Sequence, residues 1–257
     1  MTQIEMEDGS TVRTQRIYAR VAGFLFLWLI ITGLAGLITT SRIAGSGTFA
    51  EQAQRIAASE RLYRLALTSG LIETMSALLL AFALYATLKP VDKLLAQLAI
   101  YWRLAESLIG AVGVIFGFVA LRAYTSSQPA EQSQTIVELT RYLGTGTYNV
   151  SALCFSIGSS LFFYLFFRSK YIPRILSAFG LFASVLVTII CFGDLIFPER
   201  AAMFRYGWAP MAIAEVVTGF WLMFAVKIPD AVHPQFGRRS SALKHDPPMA
   251  HPSSSAS

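Results

Sequence analysis

Hydrophobic positions divide the chain into long apolar runs separated by short polar segments. Runs of transmembrane length cover residues 21–39, 65–88, 94–121, 150–167, 175–197 and 211–226. A helix rises about 1.5 Å per residue, so about 20 apolar residues cross a hydrocarbon core of roughly 30 Å. The pattern therefore predicts an all-α, polytopic membrane protein with six transmembrane helices.

Two amphipathic surface helices are predicted between these runs, both on the outer side of the membrane. Thr48 and Glu51 have the spacing of a capping box, and the residues after them mix arginines with apolar side chains. Pro129 suits a first helical position and Gly144 suits a helix end, which predicts the second surface helix over residues 129–143.

The predicted transmembrane domain, residues 18–228, lies between two polar ends. Residues 1–17 are predicted to be a polar tail, and residues 229–257 are rich in Pro, Ser and His, which favours disorder. Six spans put both termini on one side, and that side then holds every lysine. By the positive-inside rule we expect both termini in the cytoplasm.

Composition agrees with a membrane protein and argues against other classes. Hydrophobic residues make up 54% of the chain and charged residues only 14%, far below the quarter that is usual in soluble domains. The net charge of +6 comes mostly from residues that flank apolar runs, so the expected partner is the lipid bilayer and not nucleic acid. Cys154 and Cys191 are expected to be buried thiols, and every histidine lies in the C-terminal tail. No metal site or cofactor is predicted.

Candidate chemistry centres on Arg103 and Glu106, which share a helix face in the middle of the third run. Ionisable residues at such depth usually face protein, water or a ligand. Glu73, Asp194 and Glu215 lie in other runs and are expected in the outer half of the membrane. Four carboxylates facing one guanidinium cannot all be ionised in a dry interior, which predicts a small cationic ligand or a proton there.

Each of these residues also has a structural interpretation. Arg103 and Glu106 can form an ion pair that only holds helices together. Asp194 can reach interfacial water, Glu215 lies where a helix dipole favours an anion, and Glu73 can donate a hydrogen bond in its protonated form.

Three functions therefore stay open. The first is binding or transport of a cation or small cationic solute by a carboxylate-rich, outward-facing pocket. The second is a membrane accessory or scaffold protein, whose protein partner the sequence does not specify. An intramembrane enzyme that uses a carboxylate ranks lowest, because the sequence supplies no nucleophile or metal cage and so no catalytic residue.

Several short blocks of the sequence resemble the recurring blocks of one known family. They include "ARVAGFLFL" at 19–27, "SERLYRLAL" at 59–67, "YATLKPVDKLLAQLA" at 85–99, "WRLAESLIG" at 102–110, "FRSKYIPRILSAFG" at 167–180 and "AIAEVVTGFWLM" at 212–223. In this order the chain resembles the bacterial multi-pass membrane family called domain of unknown function 4386. The resemblance implies a six-helix protein of the bacterial cytoplasmic (inner) membrane without an established activity. It also implies an acidic residue early in the second span, where this chain has Gly70, with Glu73 one turn later.

Overall fold

The computed structural model describes residues 3–197, 199 and 205–228. Within these ranges the chain is helical and contains no strand. A short 3-10 turn, Arg205–Trp208, precedes the last helix. In chain order the helices are α1 (Gln3–Ala44), α2 (Phe49–Ala58), α3 (Glu60–Leu88), α4 (Lys93–Tyr124), α5 (Ala130–Ser169), α6 (Arg174–Ile196) and α7 (Ala209–Phe224).

All of these helices except α2 belong to segments that are long and apolar enough to cross a membrane, which confirms the six-span prediction. Large apolar side chains are exposed along every spanning helix, for example Ile31, Leu79, Leu108, Ile189 and Phe220. A soluble protein could not keep such a surface in water. The molecule is a multi-pass helical bundle of the membrane, and these side chains face lipid.

The six spanning helices form a closed ring in the order α1, α3, α4, α5, α6 and α7, with α7 packed back against α1. Close packing of α7 on α1 depends on Gly23, because a Cβ atom there would lie 2.6 Å from the backbone oxygen of Gly219. The most extensive helix pair is α4 with α5. This ring places α4, which carries Arg103 and Glu106, between α3 and α5.

One end of the ring, here called the hairpin end, contains the α3–α4 and α5–α6 turns. Asp92 caps α4 by accepting a hydrogen bond from the Leu95 backbone N–H at 3.1 Å, and its other oxygen lies 3.0 Å from Arg168 of the second turn. Lys170 ends α5 in the left-handed conformation, with a φ of 60°. The two turns are therefore joined directly by an ion pair.

A buried polar network closes the hairpin end behind these turns. Gln15 of α1 donates to the Thr87 carbonyl oxygen at 2.5 Å and to the Tyr171 hydroxyl at 3.0 Å. The Tyr171 carbonyl in turn accepts from the Lys227 backbone N–H at 3.3 Å. Burial raises the pKa of the Tyr171 hydroxyl, so it stays protonated and neutral at physiological pH. The network thus joins α1, α3, the α5–α6 turn and the segment after α7 at this end.

The opposite end, here called the α2 end, carries the predicted capping box. Thr48 Oγ1 accepts from the Glu51 backbone N–H, and the Glu51 carboxylate accepts from the Thr48 N–H at 2.9 Å, which confirms the box. Phe49 stacks on Tyr124 at a ring distance of 5.5 Å, and Ile56 is fully buried. These contacts pack α2 against the bundle; its position at a membrane surface stays a prediction.

The prediction of a separate second surface helix over residues 129–143 is wrong. Pro129 does precede a helix, but α5 continues from Ala130 through Gly144 and Gly146 to Ser169 without a break. A glycine inside a helix costs only about 1 kcal/mol, which the packing of α5 on α4 readily offsets. The N-terminal half of this long helix occupies the place of the predicted surface helix.

The helix boundaries also differ at the N-terminus. Helix α1 begins at Gln3, so it extends through most of residues 1–17, the segment expected to be a polar tail. The predicted disorder of residues 229–257 falls outside the described residues.

Candidate functional site

The centre of the candidate site is Arg103 on α4, whose side chain is only 4% exposed. Its Nη1 lies 3.0 Å from Oε2 of Glu106, three residues later on the same helix, where side chains share a face. The guanidinium carbon lies 4.8 Å from the centre of the Phe155 ring of α5. Arg103 therefore combines an ion pair within α4 with a cation–π contact to α5.

Arg103 fits here because α5 carries Gly158 opposite to it. A Cβ atom on Gly158 would lie 3.1 Å from the Arg103 side-chain carbons and 3.2 Å from the Ala99 carbonyl oxygen. Toward the hairpin end, Arg103, Ser159 and Phe162 line a small cavity of about 10 Å³. That volume is about the size of one water molecule.

The structure brings Glu215 and Glu73 into the electrostatic surroundings of this pair, but in different ways. Glu215 of α7 interacts with both Arg103 and Glu106, so helices from opposite sides of the ring contribute to one charged group. Glu73 of α3 interacts with Glu106 and Glu215. Its carboxylate lies against α1, since a Cβ atom on Gly33 would be 2.8 Å from Glu73 Oε1. Three carboxylates therefore accompany one guanidinium.

Asp194 lies apart from these groups, near the end of α6. Its charge interacts with Tyr148 and Cys191, and Tyr148 in turn interacts with Glu73. Tyr148 therefore interacts with both Asp194 and one of the carboxylates around Arg103. Asp194 is a peripheral member of the predicted set.

Several polar atoms of the predicted residues have unused hydrogen-bonding capacity. Within the described part of the chain, Arg103 Nε and Nη1, Glu106 Oε2 and Asp194 Oδ1 are buried and have no hydrogen-bond partner. Arg103 Nη1 and Glu106 Oε2 are therefore close enough for an ion pair, at 3.0 Å, but they are not oriented for a hydrogen bond. Buried polar atoms usually have a partner, so such groups mark a place where a ligand can bind.

Three aromatic residues pack beside these charged groups. The sequence analysis did not predict their role. Trp208, just before α7, lies 5.9 Å from the Tyr148 ring and 6.2 Å from the Phe155 ring, and Phe155 continues to Arg103. We call Tyr148, Trp208 and Phe155 the aromatic wall. Ser151 adds a hydrogen bond from its hydroxyl to the Glu106 carbonyl oxygen at 2.9 Å.

A spacing pattern could have identified part of this set from the sequence. Tyr148, Ser151, Phe155 and Gly158 follow one another at intervals of three and four residues, so they share one face of α5. That face meets the face of α4 that carries Arg103 and Glu106. Trp208 offers no such signal, because it lies in the 3-10 turn before α7 and not on a face of a spanning helix.

Among the residues that the structure describes, no three His, Cys, Asp or Glu side chains lie close enough together to hold a metal ion. Cys154 and Cys191 are buried free thiols, as expected.

Comparison with known proteins places this chain in a family. The family model described as domain of unknown function (DUF4386) matches residues 21–225, which cover most of the chain and all six spans except the first part of α1. The chain belongs to the DUF4386 family. Comparisons with curated proteins and with solved structures found no match. In this DUF4386 protein the matched region contains every residue of the candidate site.

Proposed function

We propose that this DUF4386 protein binds a small organic cation at the carboxylates around Arg103, and that binding serves transport across the bacterial cytoplasmic membrane. The observation that carries the proposal is the imbalance of charge: Glu73, Glu106 and Glu215 interact with one another around a single buried guanidinium. Ionised carboxylates in a membrane interior need cationic partners, and a cationic ligand would supply the missing charge.

The aromatic wall favours an organic cation over a metal ion. The Tyr148 ring packs against Trp208, and Tyr148 interacts electrostatically with the Asp194 and Glu73 carboxylates. Ammonium groups bind such combinations of ring faces and carboxylates through cation–π and ionic contacts. A small compound with a quaternary or primary ammonium group is therefore the ligand class that best fits the site.

Cation binding can be measured on the purified protein in a non-ionic detergent. Choline, tetraethylammonium and putrescine are titrated at constant ionic strength, with the fluorescence of the tryptophans as the signal. We expect saturable binding to the wild type and at least a tenfold weaker affinity for Glu106→Gln and Glu215→Gln, because each change removes one charge from the group.

The matched control is Glu138→Gln. Glu138 is an exposed glutamate of α5 that accepts a hydrogen bond from Gln134 of the same helix, so its loss should leave affinity unchanged. If none of the cations binds the wild type saturably, or if all three variants bind equally well, the proposed function is wrong.

A scaffold role is the second candidate, and one observation favours it. Arg103 packs tightly on Gly158 and Phe155, so it also holds α4 against α5. In that case Glu106→Gln would lower the stability of the protein without changing the affinity for any cation. The same titration, combined with a thermal unfolding curve of each variant, separates the two functions.

A further inference from the structure

A larger cavity lies at the α2 end, well away from Arg103. It measures about 450 Å³ and lies between the start of α2 and the walls formed by α3, α4 and α5. We call it the α2 cavity. Cavities of roughly 300–1,000 Å³ are typical of small-molecule sites, which combine apolar walls with a few polar groups. The α2 cavity has the size and the mixed lining of such a site.

The polar groups of its lining come from α2, α3, α4 and α5. Tyr63 of α3 interacts electrostatically with Tyr124 of α4 and with Arg141 of α5, and all three line the cavity. Tyr124 also donates a hydrogen bond to Gln52 of α2 at 3.4 Å. The Arg141 side chain has no ion pair with any other residue in the described ranges. The Arg141 guanidinium and the Tyr63 hydroxyl therefore provide donors for an oxyanion.

Apart from Thr140, the rest of the lining is apolar or has no side chain. Phe116 and Val137 supply apolar side chains, and Gly144 of α5 also lines the cavity. A Cβ atom on Gly144 would meet nothing within 4 Å. Because Gly144 also lines the cavity, a larger side chain at this position would enter the open space.

We infer that the α2 cavity binds an anionic amphiphile, a carboxylate or phosphate group attached to a hydrocarbon chain. The oxyanion would accept hydrogen bonds from Arg141 and Tyr63, and the chain would lie against Phe116 and Val137. This ligand is opposite in charge to the cation proposed for the Arg103 site and uses other residues. The inference therefore stands independently of the proposed function.

Two sources could supply this chemistry, a free fatty acid or an anionic membrane lipid. Native mass spectrometry of the full-length protein, released from detergent, can distinguish them. The protein is titrated with oleate, with dioleoylphosphatidylglycerol and with the uncharged monoolein. We expect one retained copy of oleate, of phosphatidylglycerol or of both, with at least tenfold weaker retention of monoolein. Retention of one anion alone identifies the source.

Paired variants test whether the α2 cavity holds the bound molecule. Gly144→Leu fills the cavity and should weaken retention of the anion at least tenfold, whereas Gly146→Leu should not. Gly146 has the same open surroundings in the same helix but does not line the cavity. Gly146→Leu therefore reproduces the effect of a glycine-to-leucine change on the stability of α5 without filling the cavity.

A second pair tests the charge without changing the volume. Arg141→Gln should weaken retention about tenfold, because it removes the ionic hydrogen bonds, while Arg61→Gln on the exposed face of α3 should have no effect. Equal retention of monoolein and the anions overturns the inference. The inference is also overturned if the two glycine variants retain the anion equally well and the two arginine variants do so too.

Discussion

Gly158 of α5 has no side chain, and this leaves room for the side chain of Arg103. Arg103 crosses α5 at this glycine, and its guanidinium then reaches the Phe155 ring. A larger residue would push the arginine away from the ring and from Glu106. Burying an arginine in a membrane is costly, so the exact path of its side chain matters for stability.

We therefore predict that Gly158→Ala destabilises the protein by about 1–3 kcal/mol, the usual cost of extra volume in a packed core. The new methyl group would lie 3.2 Å from a backbone oxygen of α4, which cannot move as a side chain can. Unfolding by a denaturing detergent, followed by circular dichroism, measures the loss.

Gly146→Ala is the matched control, because the added methyl group meets nothing within 4 Å. It should leave stability unchanged or raise it by up to about 1 kcal/mol through helix propensity. Equal stability of the two variants would contradict the packing argument for Gly158.

At the scale of whole helices, α2 depends on local interactions more than any spanning helix does. Its capping box joins Thr48 and Glu51, and Arg55 donates hydrogen bonds to the Ala44 carbonyl oxygen at 2.7 and 3.1 Å. A helix of 10 residues is too short to be stable alone. The cap, the arginine and the packing of Phe49 on Tyr124 together hold it in place.

Thr48→Ala should cost about 1 kcal/mol and make the amides of residues 49–58 exchange with solvent severalfold faster, because the first turn loses its cap. Hydrogen exchange followed by mass spectrometry reports this segment directly. Thr68→Ala is the control, since the Thr68 hydroxyl only donates to the Arg64 carbonyl one turn earlier. Unchanged exchange over residues 49–58 would show that the capping box does not stabilise α2.

Features of single helices that depend on local spacing could be predicted from the sequence. The Thr48–Glu51 box and the spacing of Arg103 and Glu106 are local, and both predictions agree with the structure. The predicted helix end at Gly144 is wrong, because a local helix-ending signal is weaker than the packing of α5 along α4. The position of Trp208 beside Phe155 depends on how distant segments meet, and hydrophobic periodicity contains no such information.

For the whole molecule, charge differs between the two ends of the ring. Every described lysine lies at or near the hairpin end: Lys89, Lys93, Lys170 and Lys227. The described arginines of the α2 end alternate with acidic residues such as Glu51, Glu60, Glu131 and Glu138. Cationic loops are retained on the cytoplasmic side during insertion. The ring is thus asymmetric in charge along the membrane normal.

This asymmetry predicts that the hairpin end faces the cytoplasm and the α2 end faces outward. Single cysteines can be introduced at exposed positions, Lys89→Cys at the hairpin end and Arg61→Cys near α2, after both native cysteines are replaced by alanine. In intact spheroplasts a membrane-impermeant maleimide should label the Arg61→Cys protein. The Lys89→Cys protein should react only after permeabilisation. The reverse labelling pattern would place the α2 end and its cavity on the cytoplasmic side, and it would contradict the orientation derived from the lysines.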